Sequence, residues 1–261
     1  MLKFFRRIRQ NMLNEGKTSR YFKYAIGEII LVVIGILIAL QINSWNKDRI
    51  DKKEETQILM NLRSDFQNAI EQLDYLNRIR ENYLDATKKL LQISNAERLP
   101  VSSVLDSLIM MTFYSPTFND PNGTLQALIA SDRIDLISNN DLKVSLMAWP
   151  SESEDMTEGE VMENSVMMDQ YYPFLYENIS LAQVLSYFSI SDINFERTRT
   201  NIGLIPSKFV TSDYDALLKE PKFINTLQMR ATLINISRHE TTLLIDKANK
   251  IIEAINTELE D

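Results

Sequence analysis

One apolar segment near the amino terminus constrains this chain more than any other feature. Residues 29–40 form an unbroken apolar run, and the wider window 25–42 contains only one acid and one amide. A helix over this window is about 27 Å long, close to the roughly 30 Å thickness of a bilayer hydrocarbon core. Tyr24 and Trp45 supply aromatic side chains at its two ends, as at membrane interfaces. We therefore expect a single transmembrane helix over residues 24–45.

The charge of the chain is divided at this segment. Residues 1–23 contain seven basic residues and one acid, so that the rest of the chain carries −14 against −8 for the whole. The positive-inside rule predicts a cytoplasmic basic amino terminus over residues 1–23 and an exported domain over residues 46–261. An acidic domain repels phosphate, which argues against a nucleic-acid partner.

Two other interpretations of the segment compete with an anchor. A cleaved signal peptide needs a small-x-small site after its apolar run, and Ala39-Leu40-Gln41 matches this poorly. A buried helix of a soluble protein would not explain basic residues on one flank and aromatic residues on both. We favour an uncleaved single-pass anchor.

Three residues of the span share one helical face and form the candidate packing site. Gly35 and Ala39 make a small-x-x-x-small pair, which lets two helices approach closely. Glu28 lies on the same face, where an ionisable group raises a functional hypothesis. The alternative is that Glu28 lies near the basic interface and pairs with Lys23 or Arg20. Either way, the shared face predicts self-association of the anchor.

The exported domain has the pattern of a helical bundle. From about residue 56, and again from Pro221, apolar residues recur at intervals of three and four. The first pattern comprises Leu59, Leu62, Phe66, Ala69, Leu73 and Leu76, then Tyr83 and Leu90 after polar interruptions at Arg80 and Thr87. The second comprises Ile224, Leu227, Ala231, Ile234, Thr241, Ile245, Ala248, Ile252, Ile255 and Leu259, broken by Arg238. The fold class is therefore all-α, with long antiparallel helices after the anchor.

Shorter elements are predicted between these helices. We expect a short helix over 101–111, a turn-rich segment over 115–123, and a helix capped by Thr124 that ends at Ala130. Ser138 or Asn139 should cap the next helix, which runs from about 141 to 178 with a possible kink at Pro150. Residues 180–212 are the hardest to interpret; a hairpin or an irregular cap is possible there, including residues 201–203.

No set of catalytic residues is recognisable. The chain has no Cys and a single His, His239, which excludes cysteine nucleophiles and argues against zinc hydrolases. Six acids on the middle helix raise the idea of a cation site, but no calcium loop accompanies them, and we expect a solvated acidic face. These are Glu152, Glu154, Asp155, Glu158, Glu160 and Glu163. A cluster of aromatic residues and methionines at 162–176 is typical of a ligand pocket or adaptable interface, but more often of a core. We expect no cofactor and no metal.

The anchor resembles the start of a domain-of-unknown-function family of single-pass envelope proteins from Bacteroidota. The similarity rests on residues 23–43 with Trp45-Asn46, on the basic stretch before them, and more loosely on residues 124–142. That family usually has Gly at the position of Asp132, and this chain departs from it. The resemblance therefore does not itself predict a tight left-handed turn at this position. It implies an inner-membrane protein with a periplasmic helical domain over 46–261, and it brings no activity, cofactor or catalytic residue.

These features favour a non-enzymatic, membrane-anchored helical module that binds another protein or a second copy of itself, with the lipid bilayer as its other partner. The alternative is a ligand-sensing bundle that acts through a partner subunit. An enzyme that uses carboxylates alone is the third possibility.

Overall fold

A computed structural model describes residues 18–187, 204–205 and 207–260. The chain divides into two compact units, Met1–Gln57 and Ile58–Asp261. The predicted feature at residues 201–203 and most of the basic segment 1–23 lie outside the described residues.

The described residues are helical and contain no strand, which confirms the predicted all-α class. In chain order the helices are α1 (Thr18–Ile93), α2 (Ser102–Met111), α3 (Gly123–Ala130), α4 (Asn140–Val166), α5 (Tyr172–Asn178), α6 (Leu181–Leu185), α7 (Tyr214–Leu217) and α8 (Pro221–Glu260). A 3-10 turn spans Ile134–Leu136, and a π-helical segment, Met167–Tyr171, joins α4 to α5.

The first unit contains the apolar part of α1. An 18-residue window of this helix has a mean hydropathy of 2.6, and none of that window is buried. It is long and apolar enough to cross a membrane, by length and composition.

Three long helices form the second unit: α1 from Ile58 onward, α4 and α8. Contacts between α1 and α8 pair early residues of one with late residues of the other, since Arg63 donates to Asn256 (3.2 Å) and Asn77 to Thr242 (3.5 Å). The same holds for α4 and α8, where Lys247 lies 2.8 Å from Glu152. Helix α8 is therefore antiparallel to both neighbours, and the two apolar patterns predict this arrangement for α1 and α8.

The core of this unit consists of two apolar clusters. We call the first the Trp149 cluster; it includes Leu62, Phe66, Leu73, Trp149, Leu244 and Ile251. We call the second the Tyr171 cluster; it includes Leu90, Ile109, Tyr171, Phe174, Phe223 and Leu227. The Trp149 cluster is built mainly from positions at helical spacing on the long helices. The Tyr171 cluster combines such positions with residues of the short helices α2, α5, α6 and α7. Between them along α1 and α8 lies a stretch of buried polar side chains.

The short elements between α2 and α4 differ from expectation in one respect. Helix α3 begins at Gly123, so the prediction that Thr124 caps it was wrong. The backbone N–H of Thr124 donates instead to the carboxylate of Asp65 on α1 (2.9 Å). Asn139 caps α4 as predicted, because its side chain accepts a hydrogen bond from the N–H of Leu142 (2.9 Å).

Asp132 has a left-handed backbone conformation, with a φ of 59°. The family that the anchor resembles usually has Gly at this position. The N–H of Arg133 donates to the carbonyl of Leu128 (3.0 Å), and that of Asp132 to Ile129 (3.2 Å). This is the hydrogen-bond pattern of a Schellman motif, which ends α3. The backbone hydrogen bonds therefore keep the turn although the residue is not glycine.

Candidate functional site

Four charged side chains from the three long helices are buried between the two apolar clusters. We call them the ionic layer: Arg80 of α1, Glu160 and Glu163 of α4, and Arg230 of α8, each no more than 3% exposed. Charged residues are almost never fully buried unless they are paired. The layer is therefore the most unusual chemical feature of the described core.

Arg80 and Glu160 form the first half of the layer. The guanidinium of Arg80 contacts the Oε1 atom of Glu160 and donates to the hydroxyl of Thr241 on α8 (2.7 Å). The second carboxylate oxygen of Glu160 accepts the backbone N–H of Phe118 (2.9 Å). One ion pair thus links all three long helices and the loop between α2 and α3.

Arg230 and Glu163 form the second half. A guanidinium nitrogen of Arg230 lies 3.5 Å from the Oε1 atom of Glu163. The same side chain donates to the backbone carbonyls of Thr112 and Tyr114. Arg230 therefore satisfies backbone groups as much as it neutralises a carboxylate.

Together the four side chains hold residues 112–118, which we call the crossing segment. Arginine nitrogens reach the carbonyls of Thr112, Tyr114 and Pro116, and Glu160 accepts the N–H of Phe118. Because Thr112, Pro116 and Phe118 are buried, these backbone groups would otherwise lack partners. The contacts fall on every second residue, so one face of the segment is bound by the ionic layer.

Two tyrosines beside the layer fix the start of the crossing segment. The hydroxyls of Tyr171 and Thr112 are 2.5 Å apart, and Tyr172 donates to the carbonyl of Phe113 (2.5 Å). Both tyrosines flank the junction where the π-helical segment passes into α5. Burial raises the pKa of Tyr171 to about 12, so its hydroxyl keeps its proton and can share the hydrogen bond with Thr112.

Burial also acts on the carboxylates. It raises the pKa of Glu160 above its usual value, against the opposing effect of Arg80 and the Phe118 N–H. It raises the pKa of Glu163 likewise, against Arg230 and Arg80. The layer holds two positive and two negative groups, and its contacts are with backbone and with neighbouring helices. These contacts hold the crossing segment on one path.

The prediction of a solvated acidic face on the middle helix was wrong for Glu160 and Glu163. Arg80 and Thr87 interrupt the apolar sequence pattern, but they do not interrupt the core, because both side chains are fully buried. A signal was available, because an arginine stands at a core position on each long terminal helix and acids stand at core positions between them. His239 is exposed on α8, as a surface imidazole. Among the residues that the structure describes, no group of three or more His, Asp or Glu could hold a metal ion.

The aromatic and sulfur-rich cluster is divided between core and surface. Met167, Tyr171 and Phe174 are buried in the Tyr171 cluster. The exposed members are Met162, Met168 and Tyr176. The interpretation of these residues as core therefore holds for the first group.

The packing residues predicted on the anchor lie in the first unit, on α1. Glu28 is half-buried, and Gly35 and Ala39 are exposed. A Cβ atom at Gly35 would meet no atom within 4 Å. The self-association predicted for this face stays a prediction.

Residues 28–148 match the model of DUF6090, a family of unknown function. The matched range runs from the apolar part of α1 to the first third of α4, and it covers less than half of the chain. It includes Arg80 and the crossing segment, whereas the other three members of the ionic layer lie beyond it. No curated protein matches the chain, and no solved structure matches it.

Proposed function

We propose that this chain is a single-pass inner-membrane protein whose helical domain, residues 46–261, works in the periplasm as a non-catalytic interaction module. In this proposal the amino terminus is cytoplasmic and the protein associates with itself through its anchor. The source is a bacterium of the Bacteroidota, as the resemblance of the anchor implies.

The observation that carries the proposal is the exposure of the apolar window of α1. Ile29, Leu31 and Leu40 are each at least 60% exposed, and no residue of the window is buried. At about 25 cal/mol per Å², leaving this much apolar surface in water is strongly unfavourable. A lipid environment removes that cost, whereas a core helix of a soluble protein would be covered by its own domain.

The character of the ionic layer supports an interaction module over an enzyme. Its carboxylates are sealed from solvent and are used to position the crossing segment. Buried polar groups of this kind can select one packing arrangement among several. A rigid, uniquely packed bundle suits a protein that presents a fixed surface to a partner.

Orientation is tested with the full chain in its native membrane. A carboxy-terminal epitope tag should be cut by protease added outside intact spheroplasts, while an amino-terminal tag should survive until the cells are lysed. Protection of the carboxy-terminal tag would overturn the exported domain, and release of the protein by carbonate washing would overturn the anchor.

Self-association through the anchor is tested by two matched substitutions. Gly35→Ile should reduce oligomer recovered in mild detergent at least several-fold, because a bulky side chain separates the two helices. Gly27→Ile makes the same change about 80° away from Gly35 around the helix and should leave the oligomer intact. Equal oligomer in both variants would remove the close-packing proposal.

A further inference from the structure

The outer surface of α8 carries a continuous row of exposed residues without charge. We call this row the uncharged stripe: Asn225, Gln228, Met229, Thr232, Asn235, Ile236, His239, Thr242 and Leu243, where His is counted as neutral, as in the formal net charge of the chain. All nine are exposed. The stripe is unusual because the domain as a whole is strongly acidic.

The exposed face of α1 provides the contrast within the same unit. Its exposed residues between 60 and 92 include seven charged side chains: Glu71, Asp74, Arg78, Glu81, Asp85, Lys88 and Lys89. A helix face that only has to be soluble is expected to look like this one. The lack of charge in the uncharged stripe of α8 therefore calls for a different explanation.

The apolar members of the stripe are spaced as in a coiled coil. Met229, Ile236 and Leu243 follow one another at seven-residue intervals and are 51%, 44% and 48% exposed. Thr232 and His239 occupy the intervening positions, which gives the alternating 3-4 spacing of a two-helix contact. The neighbouring row consists of Gln228, Asn235 and Thr242, whose side chains are polar but uncharged.

We propose that the uncharged stripe of α8 is the surface on which a second copy of this chain docks, helix against helix. Two copies of an acidic domain repel one another over most of their surfaces. The stripe is a place where identical surfaces can meet without bringing like charges together, and a two-fold contact places each heptad position against its counterpart. The proposal rests on the proposed function for one feature: anchoring in a membrane keeps the second copy close. We expect the two α8 helices to dock in parallel, with each heptad position against its counterpart.

The stripe is short, since residues 225–243 span about 27 Å of helix. Two helices in contact over this length bury less surface than the roughly 1,600 Å² of a standard stable interface. We therefore expect weak association by the domain alone. Confinement to a membrane raises the effective concentration of the partner and allows the stripe and the anchor to act together.

The absence of cysteine makes the test direct. Single cysteines are introduced at Met229, Ile236 or Leu243 of the full chain in native membranes and are treated with a short bismaleimide crosslinker. Each should give a covalent dimer, at least fivefold more than Met147→Cys on α4, which is more exposed than any of the three positions. Adding Ile236→Asp to the Met229→Cys chain should abolish that dimer. Because Ile236 is exposed, an unchanged thermal melt should show that the fold is retained.

Each outcome bears on one proposal. Self-dimers at all three positions support the stripe with the two α8 helices parallel. Dimers at Ile236→Cys only, with mixed crosslinks between Met229→Cys and Leu243→Cys chains, support the stripe with the two α8 helices antiparallel. Dimer yields no higher than at Met147→Cys overturn the stripe and leave the membrane proposal standing. An adduct with a protein of different mass also overturns the second copy as the occupant.

Discussion

The Trp149 cluster and the ionic layer are neighbouring parts of one core, and they are held together by different physics. In the Trp149 cluster, fully buried side chains such as Leu62 and Leu73 contribute by removal of apolar surface from water. In the ionic layer, Arg80 and Glu160 lose their hydration on burial. Only the ion pair between them and their hydrogen bonds to specific partners offset that cost. The first region tolerates changes of identity if volume is kept, whereas the second depends on identity. Packing in the ionic layer is specified by hydrogen bonds.

The largest expected effect breaks the layer on one side. Arg80→Leu should lower the free energy of unfolding by about 3–5 kcal/mol, because it leaves the Glu160 carboxylate buried without its counter-ion. Arg78→Leu, two residues away and exposed, should change it by less than about 0.5 kcal/mol. Urea unfolding of the full chain, followed by circular dichroism, measures both. Similar losses for the two variants would mean that the layer does not hold the core.

The apolar cluster should respond to volume. Leu73→Ala should lower the free energy of unfolding by about 3 kcal/mol, because Leu73 is fully buried and the truncation leaves a cavity. Leu73→Met keeps the volume and should cost less than about 1.5 kcal/mol. The same urea titration compares them. If Leu73→Met proved as harmful as Leu73→Ala, this region too would depend on identity.

The difference between the two regions explains what the sequence could predict. Apolar spacing predicted the long helix that begins at Pro221 and its antiparallel pairing with α1, because burial of apolar surface follows helical periodicity. The residue types of Arg80 and Glu163 indicate surface positions, although their spacing places both at core positions. Their partners are 80 and 67 residues away along the chain, at Glu160 and Arg230, so no local pattern reveals the pairs. The crossing segment is recognisable only as a loop, since side chains from remote helices fix its path.

A change of pH should affect the ionic layer and its surroundings in a defined direction. Burial raises the pKa of Glu160, Glu163 and Glu240 above the ordinary value of 4.5. The folded domain therefore keeps these protons to a higher pH than the unfolded chain does. The contribution of these three carboxyl groups to the free energy of unfolding is largest below about pH 4.5. It is lost as the pH rises through their raised pKa values.

The thermal midpoint of the domain should accordingly rise as pH falls from about 8 to 5. Glu240→Gln is the matched variant, because Glu240 is half-buried and its Oε2 atom has no hydrogen-bond partner. It should flatten the pH dependence without a large loss of stability at neutral pH. A midpoint that falls on acidification would contradict the prediction.

The smallest expected effect lies beside the Trp149 cluster and concerns the backbone. Asp132 holds a left-handed conformation, which is unfavourable for a residue with a Cβ atom. Relief of this strain in Asp132→Gly should raise the free energy of unfolding by about 0.5–1 kcal/mol. The greater conformational freedom of Gly in the unfolded chain should offset part of that gain. Asp135→Gly, in the following 3-10 turn, is the matched control and should destabilise, because glycine gains nothing where φ is negative. Both variants at position 132 keep the backbone hydrogen bonds of the Schellman motif, so only the strain and the freedom of the unfolded chain differ between them. A lower stability for Asp132→Gly would therefore show that the freedom which glycine gains in the unfolded chain outweighs the strain relieved at this turn.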